Sequence, residues 1–113
     1  MNTQLNNAAL LTDLYELTMA ASYYQHEMFA PATFSLFIRD YPPHRSYFVS
    51  AGLEGVVDFL ESFRFSQEDV DYLDTTGFFT PDFLHYLSTV RFSGEVFAIP
   101  EGRLFFKDEP IVE

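Results

Sequence analysis

Ala30-Pro31-Ala32-Thr33-Phe34-Ser35-Leu36-Phe37-Ile38-Arg39 is where a helical pattern stops and a two-residue period begins. Proline lacks a backbone donor and biases the residue before it away from helix, so Ala30-Pro31 breaks what precedes it. Phe34, Leu36 and Ile38 then fall on one face, and Thr33, Ser35, Phe37 and Arg39 on the other, which predicts a strand over Ala32–Arg39. Arg39 ends that strand. Pro42-Pro43 forces an extended loop, and Tyr47 to Ser50 reads as a second strand.

Upstream, Leu10, Leu14, Leu17 and Ala21 recur at spacings of three and four, predicting a helix over residues 9–25. Thr12 and Asp13 offer N-cap oxygens, and Asp13 with Glu16 has capping-box spacing. Tyr15 lies off the centre of the leucine stripe. Downstream, Leu53, Val56, Val57 and Leu60, with Phe63 at the end, restore the helical period after Gly52. Ser66 and Asp69 form a second capping box, opening a short helix through Val70 and Leu73 that Gly77 stops. Thr80-Pro81 pairs an N-cap with proline at the first helical position, opening a helix over Phe83, Leu84 and Leu87. Phe92 to Ile99 and Arg103 to Phe106 read as strands flanking the turn Pro100-Glu101-Gly102, and Ile111-Val112 reads as an interrupted strand. Strands at both ends of a helical middle make the fold class α+β.

The length, 113 residues, suits one domain, and 14 Phe with 7 Tyr supply the apolar surface that repays ordering entropy. The net charge of -11, from 17 Asp plus Glu against 6 Lys plus Arg, argues against nucleic acid and anionic membrane as partners, because phosphate recognition needs clustered cations. Each of the few basic residues is more informative for that. With no Cys there is no disulfide framework or thiolate site. No apolar run approaches membrane-spanning length, and Met1–Asn7 has no basic start of a signal peptide, so the expected location is cytoplasmic. His26, His44 and His85 fall on different elements without ligand spacing and read as isolated surface histidines. Glu68-Asp69-Val70-Asp71 is a helix first turn rather than a Ca²⁺ loop, and the sequence holds no phosphate-binding glycine loop or nucleophile elbow.

Leu11-Thr12-Asp13-Leu14-Tyr15-Glu16-Leu17-Thr18-Met19 resembles the opening helix of the nicotinate phosphoribosyltransferases. Ala30-Pro31-Ala32-Thr33-Phe34 through Phe37-Ile38-Arg39 and Pro42-Pro43 resemble the strand that follows it in that family, and Ala51-Gly52-Leu53-Glu54 the next helix start. Phe92-Ser93-Gly94-Glu95-Val96 and Pro100-Glu101-Gly102 resemble the family's hairpin. The order and spacing hold over nearly the whole chain. The resemblance implies the N-terminal α/β domain of a type II phosphoribosyltransferase, residues 1–113, lacking the irregular α/β barrel and so truncated at its C-terminal end. It implies a parent enzyme that joins nicotinate to phosphoribosyl pyrophosphate in NAD salvage. ATP hydrolysis is coupled through a phosphohistidine, and Mg²⁺ helps to hold the phosphates. It also implies a homodimer in which one subunit's N-terminal domain completes the partner's site. The phosphorylated histidine belongs to the barrel, so none of the three histidines takes that role, no catalytic residue or metal ligand is assigned, and the chain alone is expected to be inactive. The local motifs stand closer to the nicotinate branch than to nicotinamide-specific relatives. Glu27 and Ser46 stand where the family commonly has glycine.

Four residues carry the substrate-binding expectation. Tyr15 matches a tyrosine lying over the substrate's pyridine ring; on packing alone it reads as a half-buried helix residue. Asp13 reads as a helix N-terminal carboxylate, favourable by about 0.3–1 kcal/mol through the dipole, and the resemblance also places it at the active-site edge, orienting the substrate or a basic neighbour. Arg39 matches an arginine on the substrate phosphates, a role suited to its planar donor fork, against the alternative of a surface ion pair of little worth. Arg45 is a second candidate for the same work. A different class of function also stands: a free-standing, non-catalytic dimerisation or regulatory domain whose exposed aromatics form an interface.

Overall fold

The computed structural model describes residues 8–113; Met1–Asn7, where a signal peptide would start, lies outside the described residues. The chain divides into two compact units, one holding the described residues through Ala30 with Ser62–Phe92, the other Pro31–Glu61 with Ser93–Glu113. The helices, two short strands and irregular segments make the α+β class anticipated from the sequence.

The first unit is helical: α1 (Leu14–Gln25), α3 (Gln67–Thr75) and α4 (Pro81–Thr89), preceded by a short 3-10 turn, Ala8–Leu10. α3 packs on α4 and α1 on α4. Their apolar stripes meet in a core of Leu17, Phe65, Leu73, Phe79, Phe83, Leu84 and Leu87, with Phe83 only 1% exposed. Tyr24 lies beside Tyr86, the rings tilted with centroids 4.7 Å apart, and meets Phe83 at 5.8 Å. The caps explain where these helices begin. The Ser66 hydroxyl accepts from the Asp69 amide at 3.1 Å while the buried Asp69 carboxylate accepts from the Ser66 amide at 2.8 Å, satisfying two donors the helix cannot. The Thr80 hydroxyl accepts from the Phe83 amide at 3.3 Å, with Pro81 at the first helical position. Gly77, at φ 72, turns the chain out of α3.

α1 starts at Leu14, later than the period predicts, because Asp13 takes an extended backbone (φ -78, ψ 144) and the turn at Ala8–Leu10 closes separately. At its other end the Glu27 amide donates to the Tyr24 carbonyl and the Met28 amide to the Tyr23 carbonyl, which is a Schellman closure with Glu27 at the left-handed position, φ 54. Glycine is the residue that suits that position, and Glu27 holds the conformation nonetheless.

The second unit contains β1 (Phe48–Val49), α2 (Leu53–Ser62, through Glu61) and β2 (Leu104–Phe105). β1 and β2 are antiparallel, Phe48 against Phe105 and Val49 against Leu104. The segment Ala32–Arg39 is not the continuous strand its alternation predicts. It pairs at Leu36, against Val112, and Val112 is bridged on its other side by Ala98. The register that matches Leu36 with Val112 sets Pro110, which has no amide proton, opposite Ile38; the Ile38 carbonyl is served instead by the Asp108 amide at 2.8 Å. On its apolar face Phe34 and Leu36 are exposed, Phe34 at 82%, and Ile38 is half-buried. The segments around Pro100-Glu101-Gly102 do not pair with each other as a hairpin. Residues 97–99 bond to 111–113, whereas Arg103–Phe105 continue to residues 48–50. The turn, with Gly102 at φ 80, sends the chain from one ladder to the next. Ile111-Val112, which read as an interrupted strand, is bonded on both flanks.

Candidate functional site

Asp13 and Tyr15 begin α1 in the helical unit, and Arg39 and Arg45 flank the Pro42-Pro43 loop in the other. Each pair is local, and each unit supplies one.

Asp13 occupies the N-cap position, yet its side chain makes no cap hydrogen bond. The capping-box spacing with Glu16 is not used, because the Glu16 carboxylate instead accepts from the Thr12 hydroxyl. The first turn is thus held by Thr12 and Glu16, and the Asp13 carboxylate stays exposed at the positive end of the helix, with no partner among the described residues. Tyr15 is 59% exposed, more open than the half-buried packing residue that helical position alone suggested.

The Arg45 amide donates to the Pro42 carbonyl at 3.2 Å, and His44 in the third position of that turn has φ 63. This fits a type II pattern with proline second. The positive φ of the loop therefore falls on His44, not on Ser46. Both guanidiniums are exposed, and neither has a hydrogen-bond or ion-pair partner among the described residues. In a chain of net charge -11, that leaves two cations free for an external anion.

A third feature escaped the sequence reading. Glu101, in the turn before β2, reaches the start of α2, where its carboxylate accepts from the Gly52 amide at 2.9 Å and the Leu53 amide at 3.1 Å. Those two amides, Gly52 first, hold the Glu101 carboxyl below its ordinary range. Gly52, at φ 100, gives the backbone the turn that brings both amides to one carboxylate. The sequence carried one clue: Ala51-Gly52 offers α2 no side-chain cap, so an acceptor had to come from elsewhere.

Among the described residues, one shallow depression of about 300 Å³ lies between α3 and α4 and another of about 390 Å³ lies beside β2. Neither is lined by Asp13, Tyr15, Arg39 or Arg45. His26, His44 and His85 are all exposed, with His26 Nδ1 2.8 Å from the Ser22 carbonyl oxygen. Among the described residues no group of three or more His, Asp or Glu side chains is arranged to hold a metal ion, and no helix is long and apolar enough to cross a membrane. What the four candidate residues offer is an open aromatic face, a free carboxylate and two planar cationic forks.

Residues 10–113 match the family model for the nicotinate phosphoribosyltransferase (NAPRTase) N-terminal domain. The chain is 50% identical over 105 residues to the nicotinate phosphoribosyltransferase pncB2 of Mycobacterium tuberculosis, covering 93% of this chain and 23% of that protein. It is 38% identical over 110 residues to the Bacillus subtilis nicotinate phosphoribosyltransferase, covering 95% and 22%. The crystal structure of human nicotinic acid phosphoribosyltransferase superposes with a TM-score of 0.75 at 35% identity, covering 89% of this chain and 21% of that one. The chain thus spans between a fifth and a quarter of the length of these relatives, and the matched part is their N-terminal domain.

Proposed function

The chain belongs to the nicotinate phosphoribosyltransferase N-terminal domain family, and from that membership we propose that it supplies substrate contacts to an enzyme forming nicotinate mononucleotide from nicotinate and phosphoribosyl pyrophosphate. The pyridine nitrogen forms the new bond to the anomeric carbon as the carbon–oxygen bond to pyrophosphate breaks, and pyrophosphate leaves with the electron pair. The enzyme serves pyridine nucleotide salvage toward NAD in the cytoplasm and works as a homodimer, one subunit's N-terminal domain completing the other's site. It couples turnover to ATP hydrolysis and uses Mg²⁺ on the phosphates; no residue of this chain is assigned to hold either.

In this reading Tyr15 lays its ring on the electron-poor pyridine, worth on the order of 1 kcal/mol beyond burial. Asp13 orients the substrate or a basic neighbour from the start of α1. Arg39, with Arg45 in support, donates to substrate phosphate oxygens, where a planar fork outperforms a point charge. The observation that carries the proposal is that all four candidate side chains are exposed and unengaged by any partner among the described residues.

Nicotinate mononucleotide formation, assayed in an enzyme carrying this chain as its N-terminal domain and in the 113-residue chain by itself, tests the reading. Product is expected from the enzyme and none above background from the chain, because the groups that stabilise charge in the transition state are assigned to the barrel. Product formed by the chain alone contradicts that division of labour.

A further inference from the structure

Arg39 is bracketed by contacts that all come from one turn of its own unit. Residues 106–109 close on themselves: the Glu109 carboxylate accepts from the Phe106 amide at 2.8 Å, and Asp108 sits at φ 63. From this turn the Asp108 amide donates to the Ile38 carbonyl at 2.8 Å, on one side of Arg39. On the other side the Lys107 amide donates to the Tyr41 hydroxyl at 3.1 Å, and Lys107 Nζ lies 3.6 Å from Asp40 Oδ1 and 5.9 Å from the Tyr41 ring centroid. The same Asp40 oxygen accepts from the Tyr41 amide at 2.9 Å. The Tyr41 ring is itself fixed, stacked at 5.2 Å on Phe48, which stacks at 5.3 Å on Phe105. Residues 38, 40 and 41 are each held, while the Arg39 guanidinium between them has no partner among the described residues.

The charges are arranged to the same end. A bare Asp40 carboxylate next to Arg39 would compete for the guanidinium and repel an incoming phosphate. Lys107 takes that carboxylate instead. The pair is exposed, 43% at Lys107 and 82% at Asp40, so it adds little to overall stability; its effect is on the local geometry and charge around Arg39.

We infer that Tyr41 and Lys107 are positioning residues for Arg39, fixing the chain that follows it and neutralising Asp40, while the Asp108 amide of the same turn holds Ile38 before it, so that the guanidinium is held open for a pyrophosphate group. This rests on the proposed contact between Arg39 and the substrate phosphates. Tyr41→Phe removes only the hydroxyl and keeps the ring stack, and Lys107→Met keeps the stem and removes the charge.

The test is steady-state kinetics in an enzyme carrying this chain as its N-terminal domain. Each substitution is expected to raise the KM for phosphoribosyl pyrophosphate by about three- to tenfold, as a small misplacement of a substrate clamp does. The kcat should stay within about twofold and the KM for nicotinate should be unchanged, since uniform substrate binding is what is lost. In an Arg39→Ala background neither substitution should add a further increase, because residues acting through one group are not additive. If Arg39→Ala raises that KM and Tyr41→Phe and Lys107→Met do not, the clamp is refuted and the phosphate contact stands. If Arg39→Ala leaves it unchanged, both fall. Thermal melts identify a variant that fails to fold; Lys107→Met, at an exposed site, then decides the matter.

Discussion

Phe83 and Phe34 stand at opposite ends of how this chain uses its aromatics. Phe83 is enclosed by α1, α3 and α4, whose ends are set by side chains three or four residues away, as at Ser66 with Asp69 and Thr80 with Phe83. Phe34 lies open on a segment that pairs at one residue, in a unit closed by contacts from far along the chain: Leu36 with Val112, Phe48 with Phe105, Gly52 with Glu101. The helical unit is specified locally and holds most of the buried core, whereas the other is specified by distant partners and buries only Phe48 and Phe105 among the described hydrophobics; both leave apolar side chains in solvent. The candidate residues divide the same way, with Arg39 and Arg45 in the second unit and Tyr15 exposed on the helical one.

The contrast predicts where substitutions hurt. Phe83→Ala should have the largest effect, about 3–5 kcal/mol from lost burial and the cavity left behind. Chemical denaturation measures it, and a loss below about 1 kcal/mol, ordinary for a surface change, would mean the helical core does not govern stability. Next is Glu27→Gly. Relief of the left-handed conformation at the end of α1 should stabilise the chain by about 1 kcal/mol, visible as a raised melting temperature; a lowered one would show that the Glu27 side chain contributes more than its backbone strain costs. The smallest effect on overall stability is expected at Glu101. Its carboxyl is held below the ordinary range when folded, so its contribution is complete above the unfolded-state pKa and is lost as pH falls through the lower folded-state value. Hydrogen-exchange protection at the Gly52 and Leu53 amides should fall in that acid window, and in Glu101→Gln it should be weaker at neutral pH and lose this dependence. Equal protection in both proteins at every pH would remove Glu101 from its place at α2.

The same contrast explains what could be read from sequence. Ser66-Asp69, Thr80-Pro81 and Gly77 announce helix ends because the groups that satisfy one another are neighbours in the chain, and α3 and α4 lie where these residues predict. The strand pairings were not legible, because nothing local in Ala32–Arg39 says that Val112 is its partner or that Pro110 will stand opposite Ile38 and end the ladder. Pro100-Glu101-Gly102 announces a turn correctly, but a turn does not say whether its arms pair with each other. At the candidate site, Asp13 and Arg39 are visible as residue types at element ends. That Asp13 is released from capping depends on Thr12 choosing Glu16, and that Arg39 is unpaired depends on Lys107 choosing Asp40. These are competitions among acceptors that spacing does not resolve.

The central claim is that α1 presents an aromatic face to a pyridine substrate, and Tyr15→Ala in an enzyme carrying this chain tests it most directly. The KM for nicotinate is expected to rise by about five- to tenfold, the equivalent of roughly 1 kcal/mol of ring contact, with the melting temperature unchanged because the side chain is exposed. A nicotinate KM equal to that of the unsubstituted enzyme would contradict it.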